Sequence, residues 1–310
     1  METVARGLQS SVAGRRILAV TLRKTDFIDD PAAIERELPG RQIARIERFG
    51  KFMLLQLATT PAQSPPASWP SENSPPVEPI AEALLVHLGM TGHLAPHFPE
   101  QPLTKHTHVT FVLDDGRELR YTDARRFGRM AYLTGAALAS ELERFGADPL
   151  LVTKEDFAQR IRSSRSRIKA LLLDQSVLRG VGNIYADEAL WKAKIHPAKI
   201  GARLAGQEVE SLRKELRKIL LKAIELRGSS ISDFVDAGGV PGDYQQHHKV
   251  YGREGRNCFR CGTKIRRIIA AGRGSHFCPH CQPTPRGARR SRRGSSKKTK
   301  RNRPRATSNR

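Results

Sequence analysis

Residues 258–281 read CFRCGTKIRRIIAAGRGSHFCPHC. All four cysteines of the 310-residue chain lie here, as two C-x-x-C pairs with 16 residues between them. Two such turns, brought together by the intervening hairpin, present four thiolates to one tetrahedral Zn2+. The alternatives are two disulfides, which a reducing cytosol disfavours, or four free thiols. With Cys258, Cys261, Cys278 and Cys281 all serving as ligands, no coordination position stays open for a substrate, so the metal is structural. What it holds in place is a strongly basic hairpin carrying Arg273. The stretch therefore fixes residues 247–282 as a zinc finger of the ribbon type, whose work lies outside the metal.

Charge narrows the partner. Lys and Arg number 54 against 31 Asp and Glu, for a formal charge of +23 and a pI near 10.6. Such an excess faces something acidic, of which nucleic acid is the usual case and a membrane surface the rival. No apolar run approaches the roughly 20 residues that span a bilayer, and the N-terminus lacks the apolar core of a signal peptide. The expectation is a cytoplasmic, nucleoid-associated bacterial protein. Residues 283–310 hold 12 Lys/Arg, no acid and almost nothing apolar, which reads as a basic disordered tail. Setting those 12 aside leaves +11 on the rest, so the folded part is basic too.

Upstream, Val4, Leu8 and Val12 fall at helical spacing, and strand-like runs follow at 43–58, 82–90 and 108–123. The last is a hairpin turning at Asp115-Gly116. Residues 59–79, TTPAQSPPASWPSENSPPVEP, read as a Pro/Ser-rich surface insert. A β-rich domain thus occupies 1–140, and helical patterns dominate 150–240: RIKALLLDQ, VGNIYADEALWKAKI and EVESLRKELRKILLKAIELRG. The third has one apolar stripe and Gly228 placed to end it. The fold class is α+β and multidomain. Between the first two helices, RGVGNIYADE (179–188) sets Gly180 and Gly182 ahead of Asn183 at an expected N-cap, a start suited to an anion. With Arg165, Arg167 and Lys169 nearby it reads as a DNA-backbone clamp, and alone as an ordinary helix–helix turn.

The motifs RFGKFMLLQL, HLGMTGHL, KHTHV, RYTDARRFG, IKALLLDQ, RGVGNIYADE, SSISDF, KVYGREG and the zinc ribbon, in this order from Glu2 to about Gln282, resemble the bacterial formamidopyrimidine-DNA glycosylase family, relatives of endonuclease VIII. The resemblance implies an N-terminal β-sandwich with flanking helices, a helix–two-turn–helix domain and a zinc-held hairpin, with damaged double-stranded DNA crossing between them. It implies a monomer that excises 8-oxoguanine and ring-opened purines by base flipping, cleaves the glycosidic bond and completes β,δ-elimination. Met90, Arg125 and Phe127 match the residues that fill the hole left by the everted base. Arg273 and Lys51 match the catalytic arginine and lysine, and His106, Arg165, Lys169 and Asn183 match DNA contacts.

One part of the pattern differs. The family nucleophile is an N-terminal proline followed by glutamate, and a terminal amine is well suited to Schiff-base chemistry because its pKa is near 7.7–8.0. This chain opens METVARGL, which puts Met1 on the valine of the family's P-E-L-P-E-V. The expectation is a translation start called too late, with the proline upstream. The alternatives are a lesion-binding protein without chemistry, and an endonuclease VIII-like enzyme for oxidised pyrimidines.

Overall fold

A computed structural model describes residues 1–59, 80–230 and 239–285. Most of the insert, the end of SSISDF from 231 and the tail from 286 fall outside them. The chain enters through α1 (Glu2–Val12), β1 (Ile17–Leu22) and α2 (Pro31–Glu37). The single apolar run at 43–58 is two strands, β2 (Gln42–Phe49) and β3 (Phe52–Ala58), folded back at Gly50-Lys51 so that Phe49 faces Phe52. Next come β4 (Glu82–His87), β5 (Gly92–His97), β6 (Thr107–Leu113), β7 (Glu118–Asp123) and β8 (Arg129–Thr134). They build two antiparallel four-stranded sheets, in the orders β1-β6-β7-β5 and β2-β3-β4-β8.

Alternation decides which face each residue takes. Phe111, Leu119 and Tyr121 from one sheet meet Met53, Leu55, Leu84 and Val86 from the other, and α1 seals one end with Val4 and Leu8. The second sheet is covered outside as well. Leu54, Ala83 and Leu85 pack on Leu138 of α3 (Gly135–Glu143). That double cover explains why EALLVH carries a continuous apolar run instead of alternating.

The helical part comprises α4 (Lys154–Arg162), α5 (Ile168–Leu173), α6 (Asn183–Lys192) and α7 (Gly206–Glu225). Val209, Leu212, Leu216, Ile219 and Ala223 bury the stripe of α7 against α4 and α6. Gly228, at φ 88°, closes that helix by donating its N–H to the Ala223 carbonyl (2.7 Å). The hairpin β9 (Arg266–Ala270) and β10 (Arg273–Phe277) completes the zinc unit. Among the described residues no helix is long and apolar enough to cross a membrane.

Candidate nucleic-acid interface

The four cysteine sulfurs lie within 4.8 Å of one another, with Cys261 at 3.4 Å from Cys278 and 3.5 Å from Cys281. A tetrahedron of Zn–S bonds near 2.3 Å spaces its sulfurs by about 3.8 Å, so the four thiols fit one zinc. All are free, which leaves the disulfide alternative without support. Behind them sits a small core of Trp191, Val250, Ile265 and the buried Cys258 and Cys278. The metal site clamps the ends of the β9–β10 hairpin, and the exposed Arg273 stands just past its Ala271-Gly272 turn.

Much of what seats this hairpin comes from α6. Asp187, fully buried, accepts from the His276 N–H (2.9 Å) and from Lys169 Nζ (2.5 Å). Next to it, Glu188 takes the consecutive N–H groups of Lys249, Val250 and Tyr251, each at 2.9 to 3.0 Å. Burial pushes the Glu188 carboxyl up, and those three donors partly offset it. Arg260 caps the far end, its guanidinium lying 4.2 Å from the Trp191 ring centroid and donating to the Trp191 carbonyl (3.1 Å).

Where the two halves meet, the β2–β3 turn touches the 179–182 turn backbone to backbone. A Cβ on Gly50 would come within 3.3 Å of the Gly180 nitrogen, and one on Gly180 within 3.3 Å of the Gly50 backbone; both glycines have positive φ. The contact sets Lys51 beside the start of α6. Arg48 joins the halves too, pairing with Glu2 (2.7 Å) and with Asp148. Lys51, Gly50, Gly180, Ile184, Tyr185 and Met1 line a cavity of about 330 Å3. Burial first, then the Arg273 guanidinium, hold the Lys51 ammonium below the usual lysine range. The two expected catalytic residues are thus electrostatic neighbours, though they lie 222 positions apart in the sequence.

Met90, Arg125 and Phe127 form one exposed cluster, with Met90 in the loop that follows β4. Met90 is 64 % and Phe127 57 % exposed. The Arg125 guanidinium lies 4.6 Å from the Phe127 ring centroid, and its Nη1 is 3.6 Å from the Met90 sulfur. Exposed apolar side chains stiffened by a cation are what a wedge needs. Gly89 makes the approach possible, because a Cβ there would fall 2.6 Å from the Phe127 carbonyl carbon. Below them, the buried Asp123 carboxylate accepts from Thr91 Oγ1 (2.5 Å), Tyr121 OH (3.2 Å) and the N–H groups of Arg125 and Gly128 (both 3.1 Å). Burial alone would lift its pKa, but these donors outweigh it and bring the group below the ordinary aspartate range. His106 belongs to the same neighbourhood, its carbonyl taking the Asp123 N–H (3.0 Å).

The remaining positions divide. Arg165 is exposed in the α4–α5 loop, available to a phosphate. Asn183 is the first residue of α6 and not its cap; Gly182 holds that place. Ala186 N–H is the first to find a helical carbonyl, that of Gly182 (3.0 Å), so the N–H groups ahead of it face out of the helix start. Lys169 departs from the clamp reading: it is fully buried, and an enclosed ammonium has no face for DNA. Sequence reasoning missed Asp123, Asp187 and Glu188. Its one available signal was acids embedded in apolar stretches, YTD and YADEALW, where an unpaired carboxylate is costly.

Comparison with known proteins agrees with this layout. The formamidopyrimidine-DNA glycosylase N-terminal domain matches residues 1–130, the corresponding H2TH domain residues 145–235, and a zinc finger found in FPG and IleRS residues 257–284. The formamidopyrimidine-DNA glycosylase of Herpetosiphon aurantiacus is 40% identical over 287 residues, covering 91% of this chain and 97% of that protein. That of Symbiobacterium thermophilum is 40% identical over 309 residues, covering 96% and 94%. Among solved structures, Lactococcus lactis Fpg in complex with abasic-site DNA superimposes with a TM-score of 0.78 at 32% identity, covering 91% of this chain and 98% of that one. A MutM complex with carbocyclic 8-oxo-G DNA gives the same scores.

Proposed function

Because the chain belongs to the formamidopyrimidine-DNA glycosylase family, we propose that it excises oxidised purines from duplex DNA and cleaves the strand at the abasic site left behind. The observation that carries this is a cavity between the sandwich and the helical domain lined by Lys51, Gly180 and Ile184, with the Arg273 guanidinium an electrostatic neighbour of the Lys51 ammonium. A base inside a duplex cannot be reached by such a cavity, so the nucleotide is everted. Met90, Arg125 and Phe127 then occupy the gap. Unstacking costs about a few kcal/mol, offset by the larger protein surface that a bent duplex wraps. Arg165 and the open N-terminus of α6 hold backbone phosphates, and His106 lies close to the wedge.

An amine attacks C1′, the base departs and a Schiff base remains. Loss of the C2′ proton expels the 3′-phosphate, and loss of the C4′ proton then expels the 5′-phosphate. Lys51, held below the usual lysine range, exchanges protons more readily near neutral pH than a free lysine does. Arg273 donates to the phosphate beside the lesion as a planar, permanent cation. Zinc, when bound by the four cysteines, supplies rigidity to that hairpin. A single copy of the chain suffices for every role, in the cytoplasm beside the bacterial chromosome.

Borohydride trapping tests the reading, since it reduces a Schiff base to a permanent cross-link. The chain, and the same chain carrying Met1→Val preceded by MPELPE, are each mixed with duplex containing 8-oxoguanine opposite cytosine. Cross-linking by the extended chain is expected. Cross-linking by the chain beginning at Met1 assigns the chemistry to another amine. If neither cross-links, a lesion-binding role without chemistry replaces the reading.

A further inference from the structure

We propose that Lys169 and Asp187, together with Asn183, form an internal clamp that aims Arg273 during strand scission; this rests on the glycosylase and lyase reading above. The donors converge on one atom. Lys169 Nζ lies 3.1 Å from the Gly274 carbonyl oxygen, and Asn183 Nδ2 donates to the same oxygen at 3.2 Å. Asp187 holds Lys169 through Oδ1 (2.5 Å), while its Oδ2 takes the His276 N–H (2.9 Å) and lies 3.3 Å from His276 Nδ1. The clamp thus grips β10 on both sides of the buried Ser275, by the carbonyl before it and the amide after it. Arg273, one residue ahead of the gripped carbonyl, stays exposed.

Zinc alone does not complete this work. Its ligands bind the hairpin's ends, and Cys278 is five residues past Arg273. Thermodynamic stability does not require the pair either. A buried ion pair is commonly matched or bettered by apolar residues of similar volume, so its presence points to orientation. Position adds to this. Lys169 comes from α5, and Asp187 and Asn183 from α6, whose first turn is the proposed phosphate site. The carbonyl beside the scission arginine and the phosphate-holding turn are therefore fixed by one group of atoms, and their separation is set in advance of DNA binding. The Lys169 side chain is a positioning group, since it touches neither substrate nor solvent.

The test uses the full chain, extended by MPELPE with Met1→Val if trapping requires it, and two variants, Lys169→Met and the double variant Lys169→Met/Asp187→Asn, which leaves no buried charge unpaired. Three readouts are taken: zinc per chain, amide exchange over residues 266–277, and the ratio of 5′- to 3′-elimination products within one reaction on abasic duplex. We expect zinc to stay at one per chain, with exchange at the hairpin faster by about tenfold or more. With Arg273 assigned to the phosphate that leaves second, on the 5′ side, the product ratio should fall by about tenfold or more, because a displacement near 1 Å is costly to an oriented donor. A purely structural role would slow both eliminations together and leave the ratio alone, which overturns the proposal. So does wild-type exchange in either variant, or failure of both to fold. If the parent chain itself leaves the abasic duplex uncut, the lyase reading has failed, and amide exchange alone then decides the clamp.

Discussion

Arg125 and Arg126 are neighbours sent in opposite directions. Arg126 sits at φ 53° and forks onto Asp26 (2.7 and 2.8 Å), while Arg125 stacks on Phe127 beside Met90. Their sequence context is the same, and only the backbone twist separates a tie to Asp26 from a side chain stacked on Phe127. Lys51 and Lys169 differ in a similar way. Both are lysines in apolar segments with depressed pKa values, yet one lines a cavity and the other is fully enclosed. Motif register located all four residues, but burial depends on what packs over them, which no short window contains. The Lys51–Arg273 proximity gives a prediction with a definite sign. Arg273→Gln removes a neighbouring cation, so the Lys51 ammonium titrates at higher pH, still short of the usual value because burial persists. Carbon NMR at Lys51 Cε reads the midpoint directly. If Lys51 is the acid of a step, the alkaline limb of that step's pH profile moves up in parallel. An unmoved midpoint would mean that the two charges do not face each other.

Among the elements, the zinc hairpin depends on two supports, its metal and α6. Cys258→Ser removes the first. Its expected effect is a loss of zinc and a fall of about tenfold or more in affinity for abasic duplex, the worth of one charge-assisted hydrogen bond of about 1.5–3 kcal/mol left unaimed. Amide protection across β2, β3 and β4 should stay unchanged, since no residue of those strands enters the zinc core. Full affinity in a zinc-free protein would contradict the role given to the metal. The hairpin itself was legible in the sequence, as was the β6–β7 hairpin with Gly116 at φ 81°, because adjacent strands joined by a tight turn are local facts. Sheet order was not. β1 pairs with β6, and no spacing rule joins Val20 to Phe111. The helices α2, α3 and α4 also escaped: each buries only one or two hydrophobic residues, Ile34, Leu138, and Phe157 with Ile161, too few to mark a period, whereas the six-residue α5 buries Ile168, Leu171 and Leu172.

At the scale of the whole molecule, charge sets how DNA is met. Residues 283–310 carry 12 of the chain's 54 Lys and Arg. Deleting them should make the decline of affinity with salt shallower, by about 0.9 in logarithmic slope for each phosphate they had engaged, and leave the preference for damaged duplex in place. Binding titrations between low and physiological salt measure the slope, and an unchanged value would assign the tail no part in binding. The attachment of the zinc unit to α6 bears, finally, on the order in which the protein is made. Chains emerge from the ribosome N-terminus first. Asp187 and Glu188 therefore appear well before the amides of 249–251 and 276 that satisfy them. Until those amides arrive, Glu188 has none of its three N–H partners and Asp187 has only Lys169, on a surface destined for the interior, which keeps that side open to water. The segment that closes the helical domain is thus made after the domain itself, and the arginine takes its place only once α6 offers a site to receive it.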